Sequence, residues 1–99
     1  VEASETPEWQ EAEIIASALP EDMQAVFLYL ARSALEKAVC PSDNAIARIY
    51  GTYSTGRARR ILAWLEEQNV IVLRLDGAGR RRAAIIGLGW ETLPGDPGL

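Results

Sequence analysis

Arginine is the side chain with the most chemistry to offer in this sequence, and its distribution is uneven. Arg48, Arg57, Arg59, Arg60, Arg74, Arg80, Arg81 and Arg82 all fall between positions 41 and 82, where only four acids accompany them, for a local net charge of +4. Arg57, Arg59 and Arg60 are nearly contiguous, and Arg80–Arg82 form a run behind Gly79. A guanidinium presents its N–H donors in a planar fork that matches phosphate oxygens and the O6/N7 edge of guanine. Clustered basic charge of this kind is expected to attract a polyanion. The remainder of the chain has the opposite sign. Residues 1–40 hold eight acids against Arg32 and Lys37, and residues 83–99 add Glu91 and Asp96, so the total of −4 conceals the basic segment.

Other chemistries are poorly supplied. The sequence has no histidine and a single cysteine, Cys40. Zinc sites draw on several Cys or His ligands, and histidine is the usual general acid or base near neutral pH. No metal, no cofactor and no enzymatic activity are therefore expected. Gly77-Ala78-Gly79 hints at a phosphate loop, but neither the Gly-Lys-Ser/Thr sequence nor a following helix accompanies it. A lone cysteine suits a reducing compartment. No charged-then-apolar leader opens the sequence, and its apolar runs are far shorter than the ~20 residues of a membrane helix. A cytoplasmic protein without a membrane partner is expected.

The elements that must position the arginines follow from periodicity. With 99 residues, 48% hydrophobic and 24% charged, the chain suits one globular domain. Residues 1–7 read as a frayed end, 8–92 as the domain and 93–99, with two prolines and two glycines, as a flexible tail. Trp9, Ala12, Ile15, Ala16 and Leu19 form a helical stripe over 8–19. Pro20 fits the first turn of a second helix over 21–39, whose stripe is Met23, Val26, Phe27, Leu30, Ala34, Leu35 and Ala38. Leu28 and Tyr29 lie off that stripe, so this helix is expected to be either sandwiched within the fold or shared with a partner chain; a homodimer through these two N-terminal helices, with Leu28 and Tyr29 as contacts, is expected.

A short helix then spans 44–50 behind Ser42-Asp43, with Ala45, Ile46 and Ile49 inward and Gly51 as its left-handed terminus. After the turn 52–55, capped by Ser54 or Thr55, a longer helix runs over 55–68. Its inward residues are Ala58, Ile61, Leu62 and Leu65, with Asn69 as C-terminal cap. Strands are predicted over 70–75 and 82–88 around the turn Asp76-Gly77-Ala78-Gly79. The fold class expected is mainly α with a C-terminal β-hairpin. Alternation sends Arg80 and Arg82 to one side of the hairpin and Arg81 to the other.

Helix, short helix, turn, longer helix and hairpin is the order of a winged helix-turn-helix, in which one helix braces the next in the major groove. Pro41-Ser42, Ile46-Ala47, Gly51, Leu62, Leu65-Glu66 and Val70-Ile71 together resemble winged helix-turn-helix regulators of the GntR and MarR-like kind. The resemblance covers about a third of the chain. It departs by one extra residue between Gly51 and Leu62, and by Asn69 where that family often has glycine. It implies a buried Ala58, with Thr55, Gly56, Arg57 and Arg59 facing the groove. Arg57 and Arg59 are then expected on guanine edges. Arg48 and Arg60 are expected on phosphates, with Ser54 near the backbone and Tyr53 either on a phosphate or packed into the core. The wing, 76–82, brings Arg80, Arg81 and Arg82 to the adjacent groove. Sequence-specific binding of double-stranded DNA by a transcription or replication regulator is the function this implies. The competing reading is a winged-helix interaction module within a larger complex, without DNA contact.

Overall fold

The computed structural model describes residues 7–98, with side chains from Trp9 onward. Among the described residues four helices, α1 (Pro7–Ser17), α2 (Glu21–Leu35), α3 (Asp43–Tyr50) and α4 (Thr55–Glu67), precede three strands, β1 (Ile71–Leu75), β2 (Arg81–Ile85) and β3 (Trp90–Glu91). About half of the chain is helical, and the strands form one antiparallel sheet in the order β1-β2-β3. Among the described residues no helix is long and apolar enough to cross a membrane. Of the expected frayed end, residues 1–6 lie outside the described residues, whereas Pro7 opens α1.

The core sits where α2 meets α3, α4 and one face of the sheet. Phe27, Leu30, Ile46, Leu62, Leu65, Ile71 and Ile85 are fully buried there. α1 lays Trp9, Ala12 and Ala16 against α2, so the apolar stripe of the first helix is satisfied within the chain. Leu28 and Tyr29, expected as dimer contacts, are half-buried and pack on the same core. On α3 the buried set is Asp43, Ile46 and Ala47, with Tyr50 half-buried a turn later. That register turns Ile49, expected inward, to the outside, where it is 41% exposed.

Helix α2 stops at Leu35, four residues short of the expected end. Lys37 adopts φ 55, the left-handed conformation. Its N–H donates to the Ala34 carbonyl and that of Ala38 to the Ser33 carbonyl, the paired bonds of a Schellman terminus. What ends the helix is a tertiary partner. Cys40 donates to the Leu93 carbonyl, and Leu93 donates to that of Ala38, each at 2.9 Å, so residues 38–40 run beside the C-terminal segment. The same bonds hold residues 93–97 of the segment expected as a flexible tail, whose last residue, 99, lies outside the described residues. Gly95 pairs with Arg81 in both directions, at 2.7 and 2.9 Å, and the Pro97 carbonyl accepts from Asp43 N at 2.9 Å.

The hairpin also differs from the expected one. β2 ends at Ile85, and Gly87 and Gly89, with φ 89 and 72, turn the chain back so that Trp90 pairs with Ile85. β1 is one of the two edge strands, and its outer edge is partly covered: Glu66 on α4 accepts the Leu73 N–H at 3.0 Å. An edge amide is thereby satisfied and the hairpin is tied to α4.

Candidate nucleic-acid interface

The segment from Ser42 to Glu67 is built from local hydrogen bonds. Ser42 Oγ accepts from Ala45 N at 3.2 Å and caps α3. Gly51, at φ 96, closes α3 by donating to the Ala47 carbonyl. Thr52 Oγ1 accepts from Ser54 N at 3.2 Å, and Ser54 Oγ accepts from Arg57 N at 3.1 Å, so Ser54 is the cap of α4. Gly56 therefore lies in the first turn of the helix. A methyl added there would sit 3.7 Å from Ser54 Oγ and 3.8 Å from Arg60 Nη1, in ordinary contact.

Around α4, successive residues turn by about 100°. Ala58, Ile61, Leu62 and Leu65 face the core. Opposite them run Gly56, Arg60, Ala63 and Glu67. Arg57 and Arg59 occupy the two flanks, about 160° apart around the axis. Arg60 lies at the centre of the outward face, between two small residues, while Arg57 and Arg59 cannot both face one groove floor. The inward set expected from the sequence, Ala58, Ile61, Leu62 and Leu65, is the one buried here and fixes the same phase; the pairing of Arg57 with Arg59 came from the family resemblance.

Arg59 is 66% exposed at its side chain, and its Nε lies 4.0 Å from Asp43 Oδ2. Arg48 lies on the outer side of α3, beside Gly51, Thr52 and Tyr53. Tyr53 projects completely into solvent. Thr55 and Gly56 are half-buried.

The arginines at the hairpin turn divide into three environments. Asp76 shapes the turn: its Oδ1 accepts from the Ala78 and Arg80 amides, each at 2.9 Å, and its Oδ2 from Arg80 Nε at 3.1 Å. The Arg80 amide, then the Ala78 amide and the Arg80 charge, outweigh partial desolvation and hold this carboxyl below the usual aspartate value. Arg82 reaches Glu91 at 3.4 Å and stands cross-strand from Arg74 on the outer face of the sheet. Arg74 was missed by sequence reasoning, since strand alternation alone carries no sign of which arginine will be opposite it.

Arg81 does not reach outward. Its side chain is 8% exposed, with Nη1 2.8 Å from Asp43 Oδ1 and Nη2 2.7 Å from the Pro41 carbonyl. Burial alone would favour the neutral form, but bonding to Asp43 and the proximity of Cys40 reverse this and raise its pKa. Its expected place at a groove is corrected by the requirement that a buried carboxylate, Asp43, be paired. The local sequence held no signal for a partner 38 residues away.

Among the described residues, Arg48, Arg57, Arg60 and Arg74 have no carboxylate within ion-pair distance. Three of these lie on α3 and α4, and each leaves its donors available to an external anion. Comparison with protein families, with curated proteins and with solved structures gives no significant match.

Proposed function

We propose that this chain is a winged helix-turn-helix domain that binds double-stranded DNA, with α4 in the major groove and the hairpin turn, 76–82, beside the neighbouring backbone. The observation that carries this reading is the outward face of α4. Arg60 stands on it between Gly56 and Ala63, flanked by Arg57 and Arg59, and neither Arg57 nor Arg60 has an acidic partner among the described residues. Small residues on either side of a central arginine permit close approach to base edges. Arg60 is the side chain that reads guanine, a contact worth about 1–3 kcal/mol of discrimination. Arg48, Arg57 and Arg80 contact phosphates and fix register. The order of α3, a glycine-closed turn, α4 and the hairpin supports the same reading.

The test is a fluorescence-anisotropy titration with a random-sequence duplex at low salt, followed by selection and sequencing of the bound fraction. Binding should appear at micromolar concentration, and Arg57→Ala with Arg60→Ala should remove most of it. A wild-type protein that ignores duplex DNA while capturing one protein partner would replace this reading with that of an interaction module.

A further inference from the structure

The carboxylate of Asp43 has two neighbours of unequal kind. Oδ1 is bonded to Arg81, which is buried and held in turn by the Pro41 carbonyl. Oδ2 faces the Nε edge of Arg59 at 4.0 Å, across the floor of a cleft of about 440 Å³ between α4 and the hairpin. Asp43, Arg59, Glu66, Leu73, Leu75 and Arg81 line that cleft. Asp43 is itself fixed from three directions. It begins α3, its amide donates to Pro97, and its side chain is 10% exposed. It is a stationary anion beside an otherwise free arginine.

At 4.0 Å the Asp43 carboxylate attracts Arg59 on its Nε side by charge, without a hydrogen bond, and leaves the terminal nitrogens, the edge able to donate two parallel bonds to O6 and N7 of guanine, turned elsewhere. We infer that Asp43 is a positioning residue for Arg59, aiming its terminal edge along the hairpin side of α4 toward a base pair next to the one read by Arg60. This rests on the DNA-binding reading above. It also gives Arg81 a role without contact: from β2, it holds Asp43, and through Asp43 it sets Arg59. The wing would then influence sequence preference from inside the fold. An exposed ion pair at this distance adds little stability. Its consequence is a narrowed set of Arg59 conformations, so less ordering is needed when a base is bound.

Two measurements test this, the first without DNA. ¹⁵N relaxation of the arginine Nε–Hε groups in the wild-type protein should show Arg59 markedly more ordered than Arg57 and Arg60. Equal mobility for the three would overturn the inference, whether or not the protein binds DNA. The second is a base-preference profile from selected duplexes. Arg59→Ala should abolish a preference of about tenfold at one base pair. Asp43→Asn, which keeps the shape and removes the charge, should reduce preference at that same pair while leaving the pair read by Arg60 intact. Uniform weakening at every position in Asp43→Asn would assign Asp43 to folding alone and contradict the proposal. Should Asp43→Asn not fold, the wild-type relaxation result decides. Order at Arg59 without any duplex binding would overturn the DNA reading, and base selection by Arg59 with it.

Discussion

Arg60, Arg81 and Asp76 illustrate how differently similar charges behave at the scale of single residues. Arg60 is exposed and has no acidic partner among the described residues, so its charge remains available for a ligand. Arg60→Ala should change folding stability by less than about 0.5 kcal/mol in chemical denaturation, as surface substitutions usually do, while weakening duplex binding at least tenfold. Arg81 behaves in the opposite way. Arg81→Ala leaves Asp43 buried with its closest countercharge removed, and denaturation should show a loss of about 3–5 kcal/mol. Because the pKa of Arg81 is raised in the folded state, its contribution is complete below its unfolded value and is lost only at strongly alkaline pH. Asp76 titrates in the other direction. Its carboxyl is held below the usual aspartate value, so the order it gives the turn is present above the unfolded pKa and is lost as pH falls through the folded one. Amide chemical shifts of Ala78 and Arg80 should report this loss below about pH 3.8, with the centre of the sheet unaffected.

At the scale of elements, two helix positions trade local stability for something else. Gly56 is a glycine in a helical turn with room for a methyl group, so Gly56→Ala should stabilise the protein by about 0.5–1 kcal/mol. The same methyl would stand on the outward face of α4, and duplex affinity should fall as melting temperature rises. A gain in both would remove the close-approach role given to this glycine. Lys37 takes a left-handed conformation that glycine adopts freely, so Lys37→Gly should stabilise by roughly 1 kcal/mol, read by thermal melting. α3, its Gly51 terminus, α4 and the turn at Asp76 were legible because their signals are local: a cap, a period and a left-handed residue. The early end of α2 was not. Ala38 and Val39 continue an apolar period, and only the bridge between Val39 and Leu93 shows why the helix stops.

At the scale of the whole molecule, the segment 93–97 closes the structure. It pairs with residues 38–40 and with Arg81, and Gly95 passes so close to the Cys40 carbonyl that any side chain there would overlap it. Gly95→Ala should therefore lower melting temperature by several degrees, a larger effect than expected for a loose tail. Long-range pairings of this kind, like the pairing of Arg81 with Asp43, are invisible to a reading that proceeds along the chain. Composition did reveal the charge asymmetry, and the fold places unpaired arginines on α3, α4 and the outer sheet face. The salt dependence of duplex binding tests this arrangement most directly. A plot of log affinity against log salt concentration should be linear and steep, and Arg48→Ala and Arg57→Ala should each shallow its slope by about 1. Affinity that is insensitive to salt, or a slope unchanged when both arginines are removed, would contradict the account.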